Sequence, residues 1–297
     1  MKRFILQCLL FLMLTAVIFL AGEPLVRSVR NPYSEKHEYV MRHGSEVKTL
    51  VLGSSLTYYG IVADSLPAAF NMANVSQTYE YDCRLLECYV GLMPALERII
   101  LPVYYFSFFD PDVDPGSWGR YYKIYMDIDK YPDFSLQNLE LTYFPSYSGK
   151  LKNLITGSKG PQASPKGFGL DYTDDTRVKD FCNYSRRQAE GSHLIYAGHE
   201  AYNRQWFERL LSLAKSRGIE VMLIYPPMHR DYLAGCHADQ LTRTRQITQW
   251  YVKKYGLSFY DFMLDPDFTI DDFRDGSHLD RSGAEKLTRK MRDILAR

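Results

Sequence analysis

The 297-residue chain carries almost no net charge, because 36 Lys and Arg stand against 35 Asp and Glu. Nucleic acid and other polyanionic partners therefore have no electrostatic case. No glycine-rich phosphate loop, internal repeat or heptad array is present, so nucleotide-cradling and coiled-coil readings drop out. Cysteine is scarce, with five in all, and none stands in a C-x-x-C or Cys/His set at metal-ligand spacing. Cys83 and Cys88 point in different directions on an expected helix, and a pairing of Cys182 with Cys236 stays open. His193, His199 and Glu200 lie close together, but a metal site there lacks a third ligand. No metal and no other cofactor is expected.

What is present is a globular composition, 46% hydrophobic and 24% charged, long enough for one α/β domain with insertions. Lys2 and Arg3 precede an apolar run from Phe4 to Ala21, at the length of a membrane-spanning helix. The basic residues keep that end cytoplasmic and export everything after Gly22, to the periplasm or cell surface. Glu23 stands where a lipidated cysteine would be needed. The bulk of Phe19 and Leu20 makes a poor cleavage site, so a retained anchor is favoured over a cleaved signal. Residues 1–22 read as anchor or signal, 23–46 as a polar juxtamembrane linker and 47–297 as the folded domain.

Within that domain, apolar strands at about Val47–Leu52, Ala69–Met72, Arg98–Tyr105, Ile219–Tyr225 and Leu257–Phe262 alternate with helical patterns. The helices run at about Gln77–Met93, Tyr202–Arg217, Leu241–Tyr255 and Ser282–Leu295. Continuous apolar strands bounded by helices predict a parallel sheet covered on both faces. From about 108 to 194 the pattern breaks into a Tyr-rich insertion with short elements. Its aromatics (Trp118, Tyr121, Tyr122, Tyr125, Tyr143, Tyr147) either line a carbohydrate or acyl groove or form a small core of their own. His229 follows the fourth strand at the edge where α/β sites lie, and reads as a solvent-facing loop residue rather than a substrate contact, which stays open. Asp261 and Asp265 read as helix caps or spare carboxylates near the final loop.

Two short motifs carry the chemistry. Gly53-Ser54-Ser55-Leu56 follows the first strand, and Asp275-Gly276-Ser277-His278 precedes the last helix. Each alone is ordinary, the first a turn and the second a helix cap beside a polar residue. Together, and in this order, they supply a nucleophile, a general base and a carboxylate to hold the base's tautomer, which are the roles of an acyl-transfer site.

This arrangement resembles the SGNH (GDSL-type) hydrolase superfamily, in its membrane-anchored cell-envelope branch, over roughly Val47 to Arg297. Leu279, Gly283 and Ala284 also fit the run that follows the family's catalytic histidine. The resemblance implies a three-layer α/β/α, flavodoxin-like domain with a parallel sheet, behind one N-terminal transmembrane helix. It implies Ser55 as nucleophile, His278 as general base and Asp275 as the residue orienting it. The backbone N–H groups of Ser55 and Ser76 would bind the oxyanion, and Ser54 and Gln77 would touch substrate. The sequence departs from the family in three places. Ser54 replaces the Asp of Gly-Asp-Ser, Ser76 holds a glycine's place, and no Gly-x-Asn-Asp follows the third strand, leaving the side-chain oxyanion donor unassigned. The implied activity is ester hydrolysis or O-acyl (acetyl) transfer on cell-envelope polysaccharide or a related acylated glycan, with a membrane-bound acyltransferase as a partner. The rival is a catalytically silent scaffold of the same fold that binds glycan or such an acyltransferase.

Overall fold

The structure is a computed structural model that describes residues 1–111, 118–128, 138–158, 160–172 and 177–296. Five short apolar segments form one sheet: β1 (Thr49–Val51), β2 (Ala69–Asn71), β3 (Arg98–Pro102), β4 (Glu220–Tyr225) and β5 (Ser258–Asp261). Their order is β2-β1-β3-β4-β5, and every pairing is parallel. That is the doubly wound, flavodoxin-like order, whose switch point lies between β1 and β3. Ligands in such sheets bind beyond the carboxyl ends of the strands at that point. Ser55 leaves β1 there.

The chain divides into two units, residues 35–113 with 162–297, and residues 1–34 with 114–161. The sheet belongs to the first, with helices α3 (Ser55–Tyr58), α4 (Tyr79–Tyr89), α7 (Phe181–Gly191), α8 (Glu200–Ser216), α9 (Arg230–Gly235), α10 (Ala238–Tyr255) and α11 (Arg281–Leu295). Side chains alternate along each strand, so one face of the sheet presents Val51, Ile100, Met222 and Ile224. These pack into one cluster with Leu287 and Met291 of α11. On the other face Leu50, Ile99, Leu101 and Leu223 are buried. Tyr79 of α4 meets Phe207 of α8 at 4.7 Å between ring centroids, and Phe207 meets Tyr251 of α10 at the same distance. Each such fully buried large side chain contributes about 1.5–3 kcal/mol. Asp280 caps α11, its carboxylate accepting from Gly283 N at 2.9 Å.

The other unit holds α1 (Lys2–Arg27), α5 (Arg120–Met126) and α6 (Phe144–Thr156). α1 is long and apolar enough to cross a membrane. Tyr33 packs on Tyr121 and Tyr122 at 5.0 and 5.1 Å. Tyr122 and Tyr147 are buried. Tyr122 and Tyr147 thus pack inside this unit, while Trp118 and Tyr143 are exposed.

Two expectations need correction. Residues 23–46 are not a polar linker: α1 runs to Arg27, and α2 (Pro32–His43) follows and continues into the sheet unit, burying Lys36 and Val40. The buried positions Tyr33, Lys36 and Val40 recur at helical spacing, but the lysine among them and the many polar neighbours mask the pattern. The 108–194 stretch is not one insertion, since 114–161 and 162–194 belong to different units; residues 112–117, 129–137, 159 and 173–176 lie outside the described residues. Cys182 and Cys236 are free thiols.

Candidate active site

Gly53 makes the turn. Its φ is +110°, and a Cβ there would lie 2.3 Å from Pro102 Cγ and 2.7 Å from Tyr104 Oη. Only glycine satisfies both the backbone and the space. The turn is held from beneath: Gly53 N donates to Asp82 Oδ1 at 2.8 Å, and Ser54 N donates to Tyr104 Oη at 3.1 Å. Thr57 Oγ1 donates to Leu52 O at 2.9 Å. These bonds present Ser55 at the start of α3.

The structure brings Ser55, His278 and Asp275 together. Ser55 Oγ lies 2.8 Å from His278 Nε2, and His278 Nδ1 lies 3.0 Å from both Asp275 oxygens. Asp275 Oδ1 also accepts from Ser277 N and His278 N, each at 3.0 Å, while Arg274 Nη1 donates to Oδ2 at 3.1 Å. Burial works against the charged form, but the facing imidazole and the two backbone N–H groups outweigh it and hold the carboxyl well below its ordinary range. With its Nδ1 proton committed to Asp275, His278 presents Nε2 to the serine as an acceptor.

Ser76 is exposed with φ +57°, a left-handed conformation that favours glycine. Ser54 and Gln77, expected to touch substrate, are each 4% exposed. The Gln77 amide donates to Asp82 Oδ1 at 2.6 Å and so braces the carboxylate that holds Gly53. Asp82 is buried, and desolvation pushes its carboxyl up to about 7 against the pull of Gln77 and Gly53. His229 is buried rather than solvent-facing: it lies edge-on to Phe181 at 4.9 Å, and its N–H donates to Gly276 O at 2.8 Å. Asp261 accepts from Met263 N, and Asp265 pairs with Lys290. Just after β3, the Tyr104 hydroxyl is occupied by Ser54 N and Thr57 Oγ1.

Several site residues have no motif of their own. Tyr172 stands edge-on to the His278 ring at 5.5 Å, stacks on Tyr59 at 3.6 Å, and carries the Arg274 guanidinium over its face at 4.1 Å. Asn71 ties the β2 loop to α3, donating to Thr57 O and Ile61 O at 2.9 Å each. Lys36 of α2 donates to Ala73 O and lies over the Tyr58 ring; complete burial drives its pKa well below the usual ammonium range. A pocket of about 380 Å³ nearby is lined by Met228, His229, Met263, Phe268 and Phe273 among others, and by none of the trio.

No family model matches the chain, and no curated protein matches it. Solved structures do. A GDSL-like lipase from Bacteroides thetaiotaomicron aligns over 89% of this chain and 98% of its own, at 10% identity and a TM-score of 0.42. The lipase/acylhydrolase from Enterococcus faecalis aligns over 84% and 95%, at 13% identity and a TM-score of 0.39.

Proposed function

We propose that the chain is a serine-dependent ester hydrolase or O-acyl transferase. The observation that carries this is the unbroken Ser55–His278–Asp275 hydrogen-bond relay beyond the carboxyl end of β1. In the mechanism, Nε2 of His278 takes the Ser55 proton as Oγ attacks an ester carbonyl, and the C–O bond of the resulting tetrahedral adduct breaks as the imidazolium returns the proton to the leaving alkoxide. Water or an acceptor hydroxyl then resolves the acyl-enzyme by the same steps in reverse order. Asp275 stays charged and steadies the imidazolium. The backbone N–H groups of Ser55 and Ser76 serve the oxyanion, which needs no particular side chain at Ser76. The family resemblance extends this to an acyl group, acetyl first, on an envelope glycan, with α1 as the anchor and the site on the extracytoplasmic side, alongside a membrane-bound acyltransferase.

One observation favours the silent-scaffold alternative: the Tyr104 hydroxyl after β3 is bonded inward to Ser54 N and Thr57 Oγ1, and the side-chain oxyanion donor implied by the resemblance stays unassigned. Loss of one such donor costs ~10²–10³ in rate. Treating the full chain in detergent with a fluorophosphonate probe, then mapping the modified peptide, separates the readings. The expected result is modification at Ser55 that disappears in His278→Ala. A folded protein that stays unlabelled would transfer the assignment to a scaffold.

A further inference from the structure

His193 follows α7, and His237 and Asp239 stand at the head of α10 as a His-x-Asp stretch. The sequence grouped His193 with His199 and Glu200 instead. Glu200 is engaged elsewhere, pairing with Arg204 and Arg243. One donor atom from each of His193, His237 and Asp239 lies within 4.8 Å of the others. His193 Nε2 is 3.1 and 3.3 Å from the two Asp239 oxygens, close to the ~3.3 Å edge of a tetrahedron with bonds of about 2.0–2.1 Å.

A simple His–Asp hydrogen bond does not account for the third member. The His237 ring lies face to face with His193, centroids 3.8 Å apart and planes 5° from parallel, and among the described residues it has no hydrogen bond of its own. A bridging cation would use all three side chains once one ring turned out of the stack, because an ion lies in the plane of each imidazole that ligates it. The surroundings are also built like a ligand shell, in which the partners of the first-shell groups fix their orientation. Asp239 accepts from Tyr196 Oη at 2.9 Å and from Gln240 N at 2.7 Å. The fully buried Gln240 clamps the chain beside His193, accepting from Leu194 N at 2.6 Å and Ile195 N at 2.9 Å while donating to Ser192 O at 2.8 Å. His237 N donates to Tyr105 Oη at 2.9 Å. Both backbone segments that carry the donors are therefore fixed before any ion arrives.

We propose that His193, His237 and Asp239 bind a divalent transition-metal ion of the Zn²⁺ class, stapling the end of α7 to the head of α10. Two imidazoles and one carboxylate select such ions over Mg²⁺ or Ca²⁺, which prefer all-oxygen shells. The staple is structural. It secures α7, whose Ser185 backs Gly276 in the turn that carries His278.

The test uses the full chain in detergent, purified without a polyhistidine tag, stripped by chelator and titrated with Zn²⁺ by calorimetry. One equivalent should bind, with no Mg²⁺ binding under the same conditions, and saturating Zn²⁺ should raise Tm by several degrees. His237→Ala and His193→Ala should each weaken binding by at least ~100-fold, beyond the ~10–100-fold typical of outer-shell partners, while their metal-free Tm stays near that of the parent. Cys182→Ser, which removes a separate thiol, should bind as the parent does. Absence of one-equivalent binding, or binding undiminished in both histidine variants, would overturn the proposal.

Discussion

The two oxygens of Asp275 accept from the His278 ring, from two backbone N–H groups and from Arg274, so the residue orients the base and shapes its own turn at once. An amide at that position keeps the shape but reverses the polarity facing Nδ1, and so favours the wrong tautomer. Asp275→Asn should therefore lower the turnover of any ester the protein cleaves by roughly 10⁴-fold in a protein that still folds, with a lower Tm because the charged carboxylate that the fold favours is gone. A variant that retained more than a tenth of the activity would remove Asp275 from the mechanism. Asp82 makes a different claim. Its folded pKa, about 7, lies above the ordinary 3.8, so its contribution to stability is full below about pH 4 and is lost as pH rises through 7. Relative to Asp82→Asn, the parent chain should lose a few kcal/mol of unfolding free energy across that window, as urea titrations at pH 4, 5.5 and 7.5 would show. A difference independent of pH would mean that Asp82 is charged throughout. Ser55, Asp275 and His278 were legible in the sequence because their chemistry admits few residue types in one order. Asp82 and Tyr172 were not, because an Asp on a helix and a Tyr in a loop acquire their roles only through contacts distant in the chain.

The strands could be placed because each is a short apolar run ending in polar or glycine residues, and the helices because their apolar positions recur with the helical period. α2 and α7 escaped notice for the opposite reason: both are dominated by polar residues, and each buries only a few side chains, such as Lys36 and Ser185. Yet α7 matters to the site. A Cβ added at Gly276 would lie 2.5 Å from Ser185 Cβ and 2.7 Å from Tyr232 Cβ on α9, so this turn of the trio is pressed directly against two helices. Gly276→Ala should destabilise the protein by about 1–3 kcal/mol through overpacking and slow the labelling of Ser55 as the His278 turn is pushed away. Adding Ser185→Gly removes the nearest clash and should restore part of both losses. A double variant no better than Gly276→Ala alone, in both Tm and labelling rate, would show that the helix does not position the turn.

In the N-terminal unit the apolar helix α1 packs on the elements around it. Glu23, near its end, accepts from Glu140 N at 2.7 Å and Leu141 N at 3.1 Å and pairs with Arg27 at 2.9 Å. It so caps a short 3₁₀ turn at 140–142 with a carboxylate. Further up the helix, Phe19 O accepts from Tyr147 Oη at 3.0 Å, and the Phe19 ring packs on Phe144 and Tyr147 at 6.0 and 5.8 Å. Gly22 leaves room for that hydroxyl, since a Cβ would lie 2.2 Å from it. Below these contacts Glu140 is buried between Lys150 and Arg120, at 2.5 and 3.5 Å, and accepts from Tyr125 Oη at 2.6 Å. A buried carboxylate of this kind is costly unless its partners are held in place. Cleavage between Ala21 and Gly22 would remove Phe19 from this packing, which favours retention of the helix; the intact mass of protein extracted from membranes should include residues 1–21. Glu23→Ala leaves two backbone donors of the turn uncapped, at about 1–3 kcal/mol. Because limited proteolysis follows the open population when opening is fast, cleavage within 138–158 should accelerate about tenfold or more. Unchanged cleavage would mean that this segment is ordered without the helix, and that the helix serves as an anchor alone.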